Sequence, residues 1–203
     1  MMTLDKIVTT KYGENMYILS EDNKCFVVDP GAQADDIWEY IKNRNLEIQF
    51  ILITHGHFDH IFAAEELKNK LNTVIYAPEK EKDLLEDPEK NYTRKVGNPI
   101  TLKADYYVKE GDTIEFNDSK ISVLETPGHT YGSSCYIYKD VMFSGDMLFK
   151  NSIGRYDLPT ASFEDIKNSV EKLKLLNNDI KVYPGHGPET NIGDEKKYNP
   201  YFK

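Results

Sequence analysis

All five histidines of this chain fall inside three short segments. His55, His57 and His60 lie in Thr54-His55-Gly56-His57-Phe58-Asp59-His60. His129 follows Pro127-Gly128, and His186 follows Pro184-Gly185. Neutral imidazole offers a nitrogen lone pair near neutral pH and is the commonest metal ligand among side chains. A chain that keeps every histidine in such segments points to one metal centre built from all of them. The H-x-H-x-D-H spacing is the strongest signal. Residues two apart on extended chain point to the same side, so His55 and His57 can grip one ion. Asp59 and His60 sit where the chain turns and can face a second. The ordinary alternative makes Asp59 a helix cap and the histidines a polar loop.

The elements around these residues explain how they could be held. Phe50-Ile51-Leu52-Ile53 is a short apolar, β-branched run and reads as a buried strand. The stretch Ile61–Leu67 has the apolar stripe of a helix, which puts the motif on a strand-to-helix loop. Val141–Ser144 reads as a strand ending in Gly145-Asp146, where a carboxylate can bridge two cations with its two oxygens. Taken singly, Asp146, His129 and His186 are weak signals, since an aspartate after glycine is usually a turn residue. Each, however, follows an apolar strand: Ile121–Leu124 precedes His129 and Ile180–Tyr183 precedes His186. Repetition of strand, loop and ligand is how sheet proteins assemble sites.

With these residues in place, the sequence resembles the metallo-β-lactamase fold superfamily. Within it, the sequence is similar to the short, single-domain glyoxalase II-like (hydroxyacylglutathione hydrolase-like) enzymes. The resemblance spans nearly the whole chain. It starts at Asn15–Leu19 and Phe26-Val27-Val28-Asp29-Pro30-Gly31, takes in the histidine motifs, and ends at Thr190–Glu195 and Asn199-Pro200. The stretches Gly145-Asp146-Met147-Leu148-Phe149 and Ser152-Ile153-Gly154-Arg155 point to the subgroup. The resemblance implies an α/β (α+β) four-layer αββα sandwich, with the site at the edge between two mixed sheets. It implies that His55, His57 and His129 hold one metal, that Asp59, His60 and His186 hold a second, and that Asp146 bridges both. Two divalent ions, foremost Zn2+ with iron or manganese as alternatives, would share a hydroxide as nucleophile on a thioester, with Asp59 orienting it.

Classical members of that subgroup carry a further helical region that contacts glutathione, and residues 1–203 leave no room for it. The expectation is therefore a single hydrolase domain that gains little from a glutathione tail. A mononuclear iron persulfide dioxygenase using His55, His129 and Asp146 is the main alternative. A metallohydrolase of another ester or lactone is a further one. A closed structural metal site is disfavoured, because seven candidate ligands exceed the four that such a site needs.

Composition narrows the partners. A net charge of −9 argues against nucleic acid, which needs clustered cations. The sequence shows no apolar run of membrane-span length and no signal-peptide segment, so a cytoplasmic enzyme acting on a small molecule is expected. The 2 cysteines, Cys25 and Cys135, lack C-x-x-C spacing and read as buried free thiols. Oligomeric state leaves no mark in the sequence.

Further strands are expected at Met16–Leu19, Phe26–Asp29, Thr73–Tyr76, Asp112–Phe116 and Ser134–Tyr138. Helices are expected at Ala34–Asn43, with Trp38 in core packing, and at Phe163–Leu176. The charged stretch Glu79–Lys90 reads as a solvated helix or loop, with a mobile flap as the functional alternative. Arg155, Tyr156 and Tyr131, each just after a ligand motif, are candidate substrate contacts. A salt bridge from Arg155 to Asp157 and ordinary aromatic packing are the alternatives.

Overall fold

The computed structural model of the protein describes residues 1–9 and 12–203. They divide into two compact units: Met1–Ala77 with Lys82–Tyr107, and Pro78–Glu81 with Val108–Lys203. Each is built on a six-stranded mixed sheet, so the expectation of a mixed α/β class is met.

The first unit runs β1 (Met2–Val8), β2 (Asn15–Glu21), β3 (Lys24–Val28), α1 (Ala34–Asn43), β4 (Glu47–Leu52), α2 (Phe58–Ile61), α3 (Ala64–Leu71) and β5 (Ile75–Pro78). A 3-10 turn (Glu79–Glu81), α4 (Lys82–Leu85) and β6 (Tyr106–Val108) follow. Strand order in the sheet is sequential, with β1, β2 and β3 antiparallel and β3, β4 and β5 parallel. The strands are apolar on both faces, as Phe26, Val27, Ile51 and Leu52 are all fully buried. Helix α1 covers the sheet with Ala34, Ile37 and Ile41 at helical spacing, and Trp38 packs on the same core.

Two local expectations need correction. The apolar stripe at Ile61–Leu67 is not one helix, for the chain breaks at Phe62-Ala63. There the Ala63 amide donates to the Pro30 carbonyl at 2.9 Å instead of continuing the helical ladder. The charged stretch Glu79–Lys90 is not wholly solvated either. Glu81, Leu84 and Leu85 are fully buried, and the two leucines pack under the histidine loop.

The second unit runs β7 (Thr113–Phe116), β8 (Ser119–Glu125), β9 (Ser134–Tyr138), β10 (Val141–Gly145), β11 (Leu148–Phe149), β12 (Ser152–Ile153), α5 (Phe163–Lys174), β13 (Lys181–Pro184), β14 (Thr190–Asn191), α6 (Ile192–Tyr198) and a closing 3-10 turn (Pro200–Phe202). The sheet order is β14-β13-β10-β9-β8-β7, all antiparallel except the β10–β13 pair. Helix α5 is capped by Ser162, whose hydroxyl accepts from the Asp165 amide. It buries Ile166, Val170 and Leu173 against the sheet.

This topology decides where side chains gather. β8, β10 and β13 run in the same direction, so their carboxyl ends share one edge of the second sheet. His129, Asp146 and His186 follow those three ends. In the first sheet β3 and β4 run together, and Asp29 and His55 follow their ends.

Candidate metal centre

In the first unit His55, His57 and His60 form one cluster. The His55 and His57 ring centroids are 4.8 Å apart, and those of His55 and His60 4.2 Å apart. His55 and His60 are fully buried, and His57 nearly so. The loop packs closely at its centre, where a Cβ on Gly56 would lie 2.3 Å from Leu84 Cδ2 and force that side chain to shift. Asp59 is the second residue of α2. It does not cap that helix, whose N-cap is His57.

Asp29, which the sequence places at the end of a strand and nothing more, organises the cluster. Its carboxylate accepts from the Thr54 amide at 2.7 Å, the Thr54 hydroxyl at 2.6 Å and His60 Nδ1 at 2.9 Å. Because the Thr54 hydroxyl proton is committed to Asp29, Thr54 Oγ1 serves as acceptor for His55 Nδ1 at 3.1 Å. One buried carboxylate therefore sets both rings as Nδ1–H tautomers and makes Nε2 the lone-pair nitrogen of each. Asp29 adopts a left-handed backbone, φ 50°, a conformation that aspartate tolerates better than most residues. Gly31 packs its backbone on the same turn, where a Cβ would lie 1.6 Å from the Asp59 carbonyl oxygen.

In the second unit one oxygen of Asp146, Oδ2, lies 3.5 Å from His129 Nε2 and 3.6 Å from His186 Nε2. Those separations are long for hydrogen bonds. They are what a divalent ion imposes on two ligand atoms, since bonds of about 2.1 Å at a tetrahedral angle put them about 3.4 Å apart. His129 Nδ1 donates to the Arg155 carbonyl at 3.0 Å, so its Nε2 is again the lone-pair nitrogen. This is what Ser152-Ile153-Gly154-Arg155 does: it brings a carbonyl to His129. Only glycine permits the approach, because a Cβ on Gly154 would lie 1.8 Å from the Asp146 carbonyl oxygen. The loop holding His129 is pinned to α5 by Ser169 Oγ donating to the Pro127 carbonyl at 2.7 Å and by the Ser162 amide donating to Gly128 at 2.8 Å. The donor set fits divalent metal: imidazoles with preset tautomers and a carboxylate oxygen placed evenly between two of them.

The candidate substrate contacts stand differently. Arg155 is engaged bidentately with Asp157, Nε to Oδ1 at 2.9 Å and Nη2 to Oδ2 at 3.0 Å. That pairing holds the Asp157 carboxyl below its ordinary pKa. Tyr156 packs at a tilt against Phe163, centroids 4.6 Å apart, and both Tyr156 and Tyr131 are partly exposed. Two aromatic neighbours of the histidines escape a sequence reading. Tyr92, at φ 64°, lies 5.3 Å from the His57 ring, and Phe149 lies 6.3 Å from the His186 ring. Cys25 and Cys135 are buried, free, and pushed up to about 12 by desolvation, as expected of inert core thiols.

Comparison with known proteins places this arrangement. Residues 9–186 match the family model described as the metallo-beta-lactamase superfamily. The chain belongs to that superfamily. A hydroxyacylglutathione hydrolase, GloC, of Haemophilus influenzae is 35% identical over 99% of this chain and 98% of its own length. Among solved structures, the BLEG-1 B3 metallo-beta-lactamase superposes with a TM-score of 0.91 at 34% identity, covering 99% of this chain and 100% of that one. TTHA1623, in a di-iron-bound form, does so with a TM-score of 0.86 at 30% identity, over 97% and 99%. The resemblance read from the motifs is thus correct, and the chain is a metallo-hydrolase of the superfamily. No helix among the described residues is long and apolar enough to cross a membrane.

Proposed function

We propose that this protein is a binuclear metal-dependent hydrolase of small acyl thioesters of the hydroxyacylglutathione type. The observation that carries the binuclear reading is the number of candidate donors, seven, which exceeds what one ion takes, with Asp146 Oδ2 lying beside both His129 and His186. In this reading His55, His57 and His129 would hold one ion, Asp59, His60 and His186 would hold the other, and Asp146 would serve both. Two bound divalent ions would polarise the thioester carbonyl and acidify a water shared between them. Asp29, Thr54 and the Arg155 carbonyl keep the imidazoles in the ligating tautomer. Asp59, in the first turn of α2, would orient the attacking water. Tyr131 and Tyr156 border the substrate, and Arg155 reaches it only if it leaves Asp157.

The thioester class is supported by the GloC relative. That enzyme's length is nearly all matched by this chain, so the name hydroxyacylglutathione hydrolase is borne by a protein of the same span. The expectation that the thiol portion adds little is tested by comparing kcat/KM for thioesters that differ only in that portion. Zinc is the proposed metal, with iron or manganese as the tested alternatives, since histidine and carboxylate suit all three. Two free buried thiols agree with a reducing, cytoplasmic setting.

The deciding experiment loads the protein with zinc, manganese or iron and runs three assays. These are thiol release from S-lactoylglutathione, ring opening of a β-lactam, and oxygen uptake on glutathione persulfide. Thioester cleavage that tracks two ions per chain is expected. Oxygen uptake with iron and no cleavage under any metal would make the protein a dioxygenase, and β-lactam turnover alone would make it a lactamase.

A further inference from the structure

We infer that Glu81 is a positioning residue for the metal ligand His129, an inference that rests on the metal assignment above but not on the identity of the substrate. Glu81 belongs to the short segment Pro78–Glu81, which lies between β5 and α4 in sequence but packs as part of the second unit. Its side chain is fully buried. A buried carboxylate is costly unless its oxygens are bonded, so its partners are informative. Oε1 accepts from the Thr130 hydroxyl at 2.7 Å and from the Gly132 amide at 2.8 Å. Those two donors flank the turn immediately after His129.

The turn is shaped to receive this carboxylate. A Cβ on Gly132 would lie 2.7 Å from the Glu81 amide nitrogen and 2.7 Å from Glu81 Oε1, so only glycine leaves room. Lys80, the preceding residue, ties the same segment to Glu125 at the end of β8, Nζ to Oε2 at 2.6 Å. The loop between β8 and β9 is closed on itself by Ser133 Oγ donating to the Thr126 and Thr130 carbonyls, and Lys80 at its entry and Glu81 at its tip tie it to the Pro78–Glu81 segment.

The remaining ties divide the work. Arg155 sets the rotation of the imidazole through Nδ1, and Ser169 and Ser162 anchor residues before it. Glu81 is the anionic tie after it, and it comes from a segment 49 residues away in sequence from Thr130. A charged acceptor on two donors is stronger and more directional than a neutral one. Its loss would let the loop tip, and with it His129, drift from Asp146, a displacement that metal affinity registers before the fold does.

The test measures zinc affinity ion by ion, by competition with a chromophoric chelator, alongside guanidinium unfolding of metal-free protein. Glu81→Leu removes the acceptor and puts apolar atoms in its place. It should weaken one of the two ions by about 10–100-fold and leave the other within about threefold. Glu81→Gln, whose neutral amide oxygen can accept both bonds, should recover part of that loss. Thr130→Val, which removes one donor and no charge, should weaken the same ion by several-fold and covers the case in which Glu81→Leu does not fold. If folded Glu81→Leu or Thr130→Val binds both ions as tightly as wild type, or loses both in proportion to stability, Glu81 only supports the fold and the inference is wrong. Wild-type protein that binds zinc but cleaves no thioester would refute the proposed substrate and leave this test intact. Wild-type protein that binds no divalent ion would overturn both.

Discussion

Replacing Asp29 with Asn tests the idea that one buried carboxylate presets two metal ligands. Asp29 is 2% exposed and receives three donors, from the Thr54 amide, the Thr54 hydroxyl and His60 Nδ1. Asparagine keeps the shape but has a single acceptor oxygen. If that oxygen faces the Thr54 amide, the NH2 group opposes His60 Nδ1–H and drives the proton to Nε2, the nitrogen needed for metal. If the amide flips, the NH2 group opposes the Thr54 backbone instead. Either way one or two buried donors lose their acceptor, at about 1–3 kcal/mol each. The metal-free protein should lose about 2–4 kcal/mol of stability by guanidinium unfolding. Zinc affinity should fall by about 10–100-fold, as for loss of other groups that orient ligands. Chelator competition on folded protein reads the second quantity independently of the first. A folded Asp29→Asn protein with zinc affinity within twofold of wild type would falsify the tautomer argument.

Other outcomes follow from the same geometry. Asp146→Ala should weaken both ions and Asp59→Ala mainly one, so elemental analysis that finds two tightly held ions in Asp146→Ala would refute the bridging assignment. Zinc affinity should weaken as pH falls, because protons compete with the metal for imidazole nitrogen; an affinity by chelator competition that does not change with pH across the acid range would mean the histidines are not the donors. Gly154→Ala forces a Cβ against the Asp146 carbonyl at 1.8 Å, and should cost metal binding and at least about 1–3 kcal/mol in stability. Cys25 and Cys135, buried and raised to about 12, should resist a thiol reagent at pH 8 in native protein and react fully in denaturant; rapid native labelling of either would contradict their burial.

Much of the site is legible in the sequence because its ligands are chemically rare. Histidine at two-residue spacing after an apolar run names both the ligand and the strand that presents it, and five histidines in three such places leave little else to consider. The strands and long helices are legible for a similar local reason: Phe50–Ile53, Ser134–Tyr138 and Ala34–Asn43 carry their periodicity within a few residues. What the sequence does not reveal depends on residues far apart along the chain. Asp29 looks like a strand end until the fold brings it onto Thr54 and His60, 25 and 31 residues away. Glu81 looks like one charge in a solvated run until burial sets it under Thr130. The helix break at Phe62-Ala63 has no local signal, because it arises from Pro30 and Gly31 packing on the turn from another strand. The identity of the candidate ligands is thus a property of side-chain chemistry read along the chain. Their tautomers, spacing and support are set by hydrogen bonds between segments, and these exist only once the sheets have formed.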